Sequence, residues 1–140
     1  VSSYGWALGF EYKMLNNYQL SANVSHNEVN KTDDPSFQIQ FNTPDYRYNI
    51  SFGNRKLTKL LGFNINYRWQ NSFLWESTFG VGDIPSIHNI DAQVTFDLKD
   101  IHSKIKVGGS NILNNYHTTS FGSASVGALY YVTILLDNII

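Results

Sequence analysis

Four histidines, His26, His88, His102 and His117, are the natural first candidates for metal ligation in this 140-residue chain. None stands at the short spacing that places two imidazoles on one metal ion, so loop or surface positions are the plainer reading and no metal site is expected. The chain has no cysteine, which removes thiolate zinc sites, thiol nucleophiles and disulfide frameworks together. Around Ser125 the sequence Gly122-Ser123-Ala124-Ser125-Val126-Gly127 misses the nucleophile-elbow pattern. Asp91 and Asp97 can share one face of a strand, but spacing within one strand does not make a glycosidase carboxylate pair. Asn23-Val24-Ser25, Asn30-Lys31-Thr32 and Asn49-Ile50-Ser51 match the glycosylation sequon, and two of them fall inside strand patterns, so all three read as chance. No catalytic residue and no cofactor follow from these positions, and the chain reads as something other than an enzyme.

The bulk composition points the same way. Charged residues make up 15% and aromatics 15%, and sixteen residues are Asn; an average soluble domain carries about 25% charge. Tyr, Phe, Trp and Asn in place of Lys and Glu suit strands with one greasy face and one neutral polar face. The net charge of −1 gives no bulk attraction to nucleic acid. No run reaches the roughly 18 apolar residues of a membrane helix. The chain begins Val1-Ser2-Ser3 and enters a strand pattern almost at once, which reads as a piece cut from something longer.

The elements that would position any site show period-two alternation. A first strand over 4–14 carries Trp6, Leu8, Phe10 and Tyr12; Asn16-Asn17 turns the chain; a second carries Tyr18, Leu20, Ala22 and Val24. A polar stretch over 26–36 follows. The alternating piece 37–41 is stopped by Asn42-Thr43-Pro44 and is left as loop or strand extension. The third strand carries Tyr46, Tyr48, Ile50 and Phe52, and a short basic turn over 54–59 leads to the fourth, with Leu61, Phe63, Ile65, Tyr67 and Trp69. An irregular segment is expected over 71–87. The fifth strand carries Ile90, Ala92, Val94, Phe96 and Leu98; a turn over 99–103 leads to a sixth over 104–110, where Ile105 and Val107 alternate with lysines; a loop over 111–125 precedes the last strand, 126–137. That strand is apolar on both faces, so alternation cannot orient it. Across the first five strands one face is apolar throughout, while the interleaved positions are polar except Ala7, Gly9 and Gly62. Seven antiparallel strands are predicted, with connections that alternate short and long.

Period two alone does not distinguish a membrane barrel from a soluble one with an apolar interior. The polar face is mostly Asn, Gln, Ser and Thr, where a soluble exterior would carry many Lys and Glu. Aromatics gather near strand ends, at Tyr4 and Trp6, Tyr12 and Tyr18, Tyr46 and Tyr48, Tyr67 and Trp69, as interfacial girdles do. Several strands match the roughly 9–11 residues that cross a bilayer at a tilt. Short turns on the periplasmic side and long loops outside give the observed asymmetry. Because bacterial barrels close with even strand numbers, seven strands predict a sector of a larger barrel. On this reading Asp91 and Asp97 face the lumen, with Arg47 and Arg68 balancing them. Trp75, Phe79, Tyr116 and His117 fall in the outer loops, where aromatics could stack on sugar rings or simply pack against neighbouring loops.

From residue 37 to the end the chain also resembles a known family. The matching stretches are Phe41-Asn42-Thr43-Pro44, Phe52-Gly53-Asn54-Arg55, 62–70, Ile90-Asp91-Ala92-Gln93-Val94, Val107-Gly108-Gly109-Ser110-Asn111-Ile112-Leu113-Asn114, Ser125-Val126-Gly127 and Tyr130-Tyr131-Val132. In order and spacing they resemble the C-terminal barrel of TonB-dependent outer-membrane receptors, especially the SusC-like nutrient transporters; the Gly-Ser-Asn-Ile-Leu-Asn stretch is the most specific. The first two strands fit by pattern only. The resemblance implies a barrel of about 22 strands around a plug, coupling to TonB through that plug, a SusD-like lipoprotein over the mouth, and import of glycans or peptides at the bacterial cell outer membrane. Residues 1–140 then form the C-terminal part of the barrel, without the plug, and partner with lipid and with the rest of the barrel. The alternative expectation is a small closed β-barrel holding an apolar ligand.

Overall fold

The alternating segments form strands in the computed structural model, which describes residues 2–30 and 38–136. These are β1 (Ser2–Lys13), β2 (Tyr18–Asn30), β3 (Tyr46–Asn54), β4 (Leu61–Gln70), β5 (Phe73–Ser77), β6 (Gly80–Ile84), β7 (Ile87–Leu98), β8 (Ser103–Ser110) and β9 (Leu129–Leu136). Seven of them make one antiparallel sheet in the order β1-β2-β3-β4-β7-β8-β9, and β5 and β6 pair separately as a hairpin. The sheet is not closed; β1 and β9 are its edges.

The all-β antiparallel sheet of seven strands follows the alternation. The short connections 14–17, 55–60 and 99–102 lie at one end of the sheet, and β2, β4 and β8 lead at the other end into longer connections, whose described residues are 38–45, 71–86 and 111–128. The first turn places Asn16 at φ 60° and Asn17 at φ 65°, the paired left-handed conformation that suits a tight hairpin and that Asn tolerates better than most residues. Asn42, Asn111 and Asn114 also have positive φ, so part of the Asn enrichment is turn chemistry.

Four boundaries differ from expectation. β2 runs on to Asn30, through the first residues of the polar stretch expected over 26–36, because His26 to Asn30 pair with Trp6 to Ser2. Segment 71–87 is not irregular: it holds the β5–β6 hairpin, hidden because Gly80 and Gly82 interrupt the apolar pattern and Gly ordinarily marks a loop. β7 starts at Ile87, three residues before the first alternating apolar position used to place it. β9 starts at Leu129; Val126 instead makes an isolated bridge with His117. Residues 38–44 are not strand, and the remainder of the 26–36 and 37–41 readings beyond Asn30, like position 137, lies outside the described residues.

The register keeps like with like. Leu8 faces Val24, Val24 faces Tyr48 and Tyr48 faces Trp69 across β1 to β4, and Phe63 faces Val94, which faces Val107, which faces Val132. A one-residue slip would move every one of these side chains to the opposite face. The same register orients β9: Val132 and Ile134, opposite Val107 and Ile105, join the apolar face, while Tyr131 and Leu135 fall on the polar one. Tyr131 is accommodated there because Gly108 opposite has no side chain; a Cβ at Gly108 would sit 2.7 Å from the Tyr131 hydroxyl oxygen. That hydroxyl donates to Gln93 Oε1 at 3.1 Å.

Almost nothing apolar is buried. Among the described residues the buried apolar side chains of any size are Ile84, at the end of the hairpin, Ile87, at the start of β7, and Pro44. The chain exposes 9925 Å², against about 7,400 Å² for a compact monomer of this length.

Candidate functional site

The two faces of the sheet differ in chemistry and in curvature. The apolar face is graded along the strands. Aliphatic Leu8, Ile50, Ile65 and Val94 hold the middle and are exposed. Toward the long connections stand two ring groups: His26, with its centroid 4.4 Å from that of Tyr46 and 5.9 Å from that of Trp6, and Tyr48, with its centroid 4.8 Å from that of Trp69, beside Tyr67, whose hydroxyl meets His88 Nδ1 at 3.1 Å. Toward the short turns a further aromatic group forms, with the Tyr18 ring stacked on Phe52 at 5.7 Å and edge-on to Phe63 at 6.5 Å. Two of the histidines are therefore part of an aromatic belt. Tyr4 donates to Glu28, which also sits 3.4 Å from His26 Nε2. Among the described residues no three His, Asp or Glu side chains gather as a metal-binding group.

The polar face is concave and bounds a cavity of about 780 Å³ lined by Gln19, Ser21, Ser51, Asn64, Gln93, Thr95 and the charged groups Arg55, Lys56, Asp97, Lys104 and Lys106. All four charged residues singled out in the sequence lie on this face by register: Arg47 with Ser25, Arg68 with Asn49, Asp91 with Asn66, Asp97 with Lys104. Only two of them meet. Arg68 Nη2 reaches Asp91 Oδ2 at 2.9 Å and Oδ1 at 3.0 Å. Asp91 Oδ1 also accepts from Ser110 Oγ and from the Asn111 backbone N–H, both at 2.9 Å, so the carboxylate anchors the start of the long 111–128 connection. Among the described residues neither Arg47 nor Asp97 has an ion-pair partner.

The long connections interlock around the β5–β6 hairpin. On one side Glu76 Oε2 accepts the backbone N–H groups of Ile39 and Gln40 at 3.1 and 3.0 Å, and the Asn42 side chain bonds both main-chain groups of Glu76, at 2.8 and 2.7 Å. On the other side the Phe121 ring occupies the space above Gly82, where an added Cβ would come within 2.1 Å of it. Trp75 and Phe79 thus belong to a hairpin, not to an irregular loop. Trp75 is half-buried beside Phe73, whereas Phe79, at the tip, is 100% exposed. Tyr116 is exposed and His117 half-buried, its ring Nδ1 3.0 Å from the Asn115 carbonyl. The four do not converge on one pocket. Glu76 and Phe121, which organise the layer, carry no motif; the period-two pair Phe73 and Trp75 before a Ser-Thr-Phe-Gly turn was the available signal for the hairpin.

Fold and surface together define an open antiparallel β-sheet, apolar on one face and polar on its concave face. No model of a known protein family matches the sequence, and no curated protein matches it.

Proposed function

We propose that this chain is a wall sector of a bacterial outer-membrane β-barrel transporter, with the apolar face against lipid and the polar face lining an aqueous lumen. The observation that carries the reading is the exposed apolar face, aliphatic in its middle and aromatic at both ends, opposite a concave face of amides and hydroxyls. In water such a surface has no stable use: monomers seldom leave contiguous apolar patches beyond a few hundred Å² uncovered. In a bilayer it matches an apolar band between two interfacial girdles. Open edges at β1 and β9 are tolerated in lipid only when further strands pair with them, which supports a sector of a larger barrel. The resemblance to SusC-like TonB-dependent receptors supplies the narrower proposal of nutrient import, of glycans or peptides, coupled to TonB through a plug and capped by a SusD-like lipoprotein. The small closed barrel with an apolar ligand is disfavoured, because the sheet is open and its concave side is polar.

Single-tryptophan variants test the orientation. With Trp69 and Trp75 replaced by Phe, Trp6 fluorescence is expected to be quenched by brominated lipid in reconstituted vesicles. With only Trp75 left, quenching is expected to come from aqueous acrylamide instead. Equal aqueous access at both positions, with monodisperse protein in plain buffer, would sink the proposal.

A further inference from the structure

Positive charge predominates in the cavity on the concave face. Arg55, Lys56, Lys104 and Lys106 line it against the single carboxylate of Asp97, and none of the ion pairs among the described residues involves these four cations. Two come from adjacent polar-face positions of β8, where Lys104 faces Asp97 and Lys106 faces Thr95. The other two come from the 55–60 turn, which is folded over the concave side of β4 by three devices. Gly62 leaves the room: a Cβ there would lie 2.7 Å from the Arg55 carbonyl oxygen. Asn54, only 2% exposed, donates to the Asn16 carbonyl at 2.9 Å and accepts the Lys56 N–H at 2.9 Å. The Asp97 N–H donates to the Leu60 carbonyl at 2.8 Å. The turn cations are therefore held over the same hollow as the strand lysines.

We propose that this hollow is a binding site for a small multivalent anion, of the phosphate-ester or polycarboxylate class. Four like charges around one hollow repel each other, and an anion relieves that repulsion while accepting charge-assisted hydrogen bonds. Between the cations the wall is neutral and hydrogen-bonding, with Asn64, Gln93 and Thr95 available to orient a ligand. The volume of about 780 Å³ lies within the range of small-molecule sites. Cationic walls likewise select anionic solutes in aqueous pores. The proposal deepens the transporter reading by naming a solute class and rests on it for the transport role; binding itself needs only a hydrated concave face.

Calorimetric titration of the protein in detergent micelles tests it, with inorganic pyrophosphate and citrate as separate probes. Saturable binding of at least one is expected, weakening as salt rises from about 50 to 200 mM. The pair Lys104→Gln/Lys106→Gln and the pair Arg55→Gln/Lys56→Gln should each weaken it by about tenfold or more. Lys13→Gln, whose ammonium sits 3.6 Å from Glu11 and outside the cavity, should leave it unchanged. Circular dichroism confirms that each variant is folded. Failure of both probes, unchanged affinity in the Lys104/Lys106 variant, or binding confined to an acidic polypeptide overturns the site. Binding that persists in a protein soluble without detergent overturns the membrane reading but not the site, so the two failures are distinguishable.

Discussion

Arginine at position 65 separates a lipid-facing sheet from a water-facing one. Ile65 is 44% exposed on the apolar face, four residues along β4 from Leu61 and five short of Gln70. A strand rises about 3.3 Å per residue, and a barrel tilt of about 40° leaves about 2.5 Å of that along the membrane normal. Ile65 then lies about 10 Å from one end of the strand and about 13 Å from the other, near the centre of an apolar band about 25 Å tall. A lipid-facing Arg at that depth costs about 2–4 kcal/mol, and near the interface about 0–1 kcal/mol. Ile65→Arg is therefore expected to lower the folding equilibrium constant by about 30- to 700-fold, and Leu61→Arg, on the same face of the same strand, by much less. Equilibrium guanidinium unfolding in lipid vesicles measures both. If the sheet instead faces water, exposed Ile65→Arg should fall within about 0.5 kcal/mol of the parent, and Leu61→Arg, at a half-buried position, should cost at least as much. Equal effects at positions 61 and 65, however large, would refute the depth argument.

Three further expectations concern the loop layer and the concave face. Glu76→Ala removes the acceptor of the Ile39 and Gln40 N–H groups, so amide exchange at those two positions should accelerate while the main sheet stays protected. Gly82→Val should strongly destabilise the hairpin, because its side chain collides with Phe121; adding Phe121→Ala should restore much of the loss, as a thermal-unfolding cycle would show. Asp91→Ala should cost about 1–3 kcal/mol, since the Asn111 N–H and Ser110 hydroxyl lose their acceptor along with Arg68; the Arg68–Asp91 coupling in a double-mutant cycle should be about 1 kcal/mol or less, because Arg68 is well exposed to screening water.

The main sheet was legible because alternation is a property of each strand alone. Trp6 to Tyr12, Leu61 to Trp69 and Ile90 to Leu98 each declare a face, and pairing only has to align faces already declared. What escaped depended on partners. β9 has no private signal, since Tyr131 and Leu135 are as apolar as Val132 and Ile134; its orientation comes from opposing Ile105 and Val107, and Tyr131 is tolerated among polar neighbours because Gly108 makes room. The hairpin escaped because its glycines are recesses for Phe121, a residue nearly forty positions further on. The basic turn and the two strand lysines were each visible, but their meeting over one hollow depends on Gly62 and Asn54, whose roles exist only in three dimensions. Of the four aromatic loop candidates, only the Phe73–Trp75 alternation ahead of Ser77-Thr78-Phe79-Gly80 separated a strand residue, half-buried Trp75, from a turn residue, fully solvated Phe79.

The clasp of Glu76 on one side of the hairpin and the Phe121 ring on the other make a single composite roof of three sequence-distant segments. An antibody raised against the folded protein that binds that roof would read a conformational epitope. A synthetic peptide copying any one connection should fail to compete for it, and insertions in one segment should alter recognition of the other two.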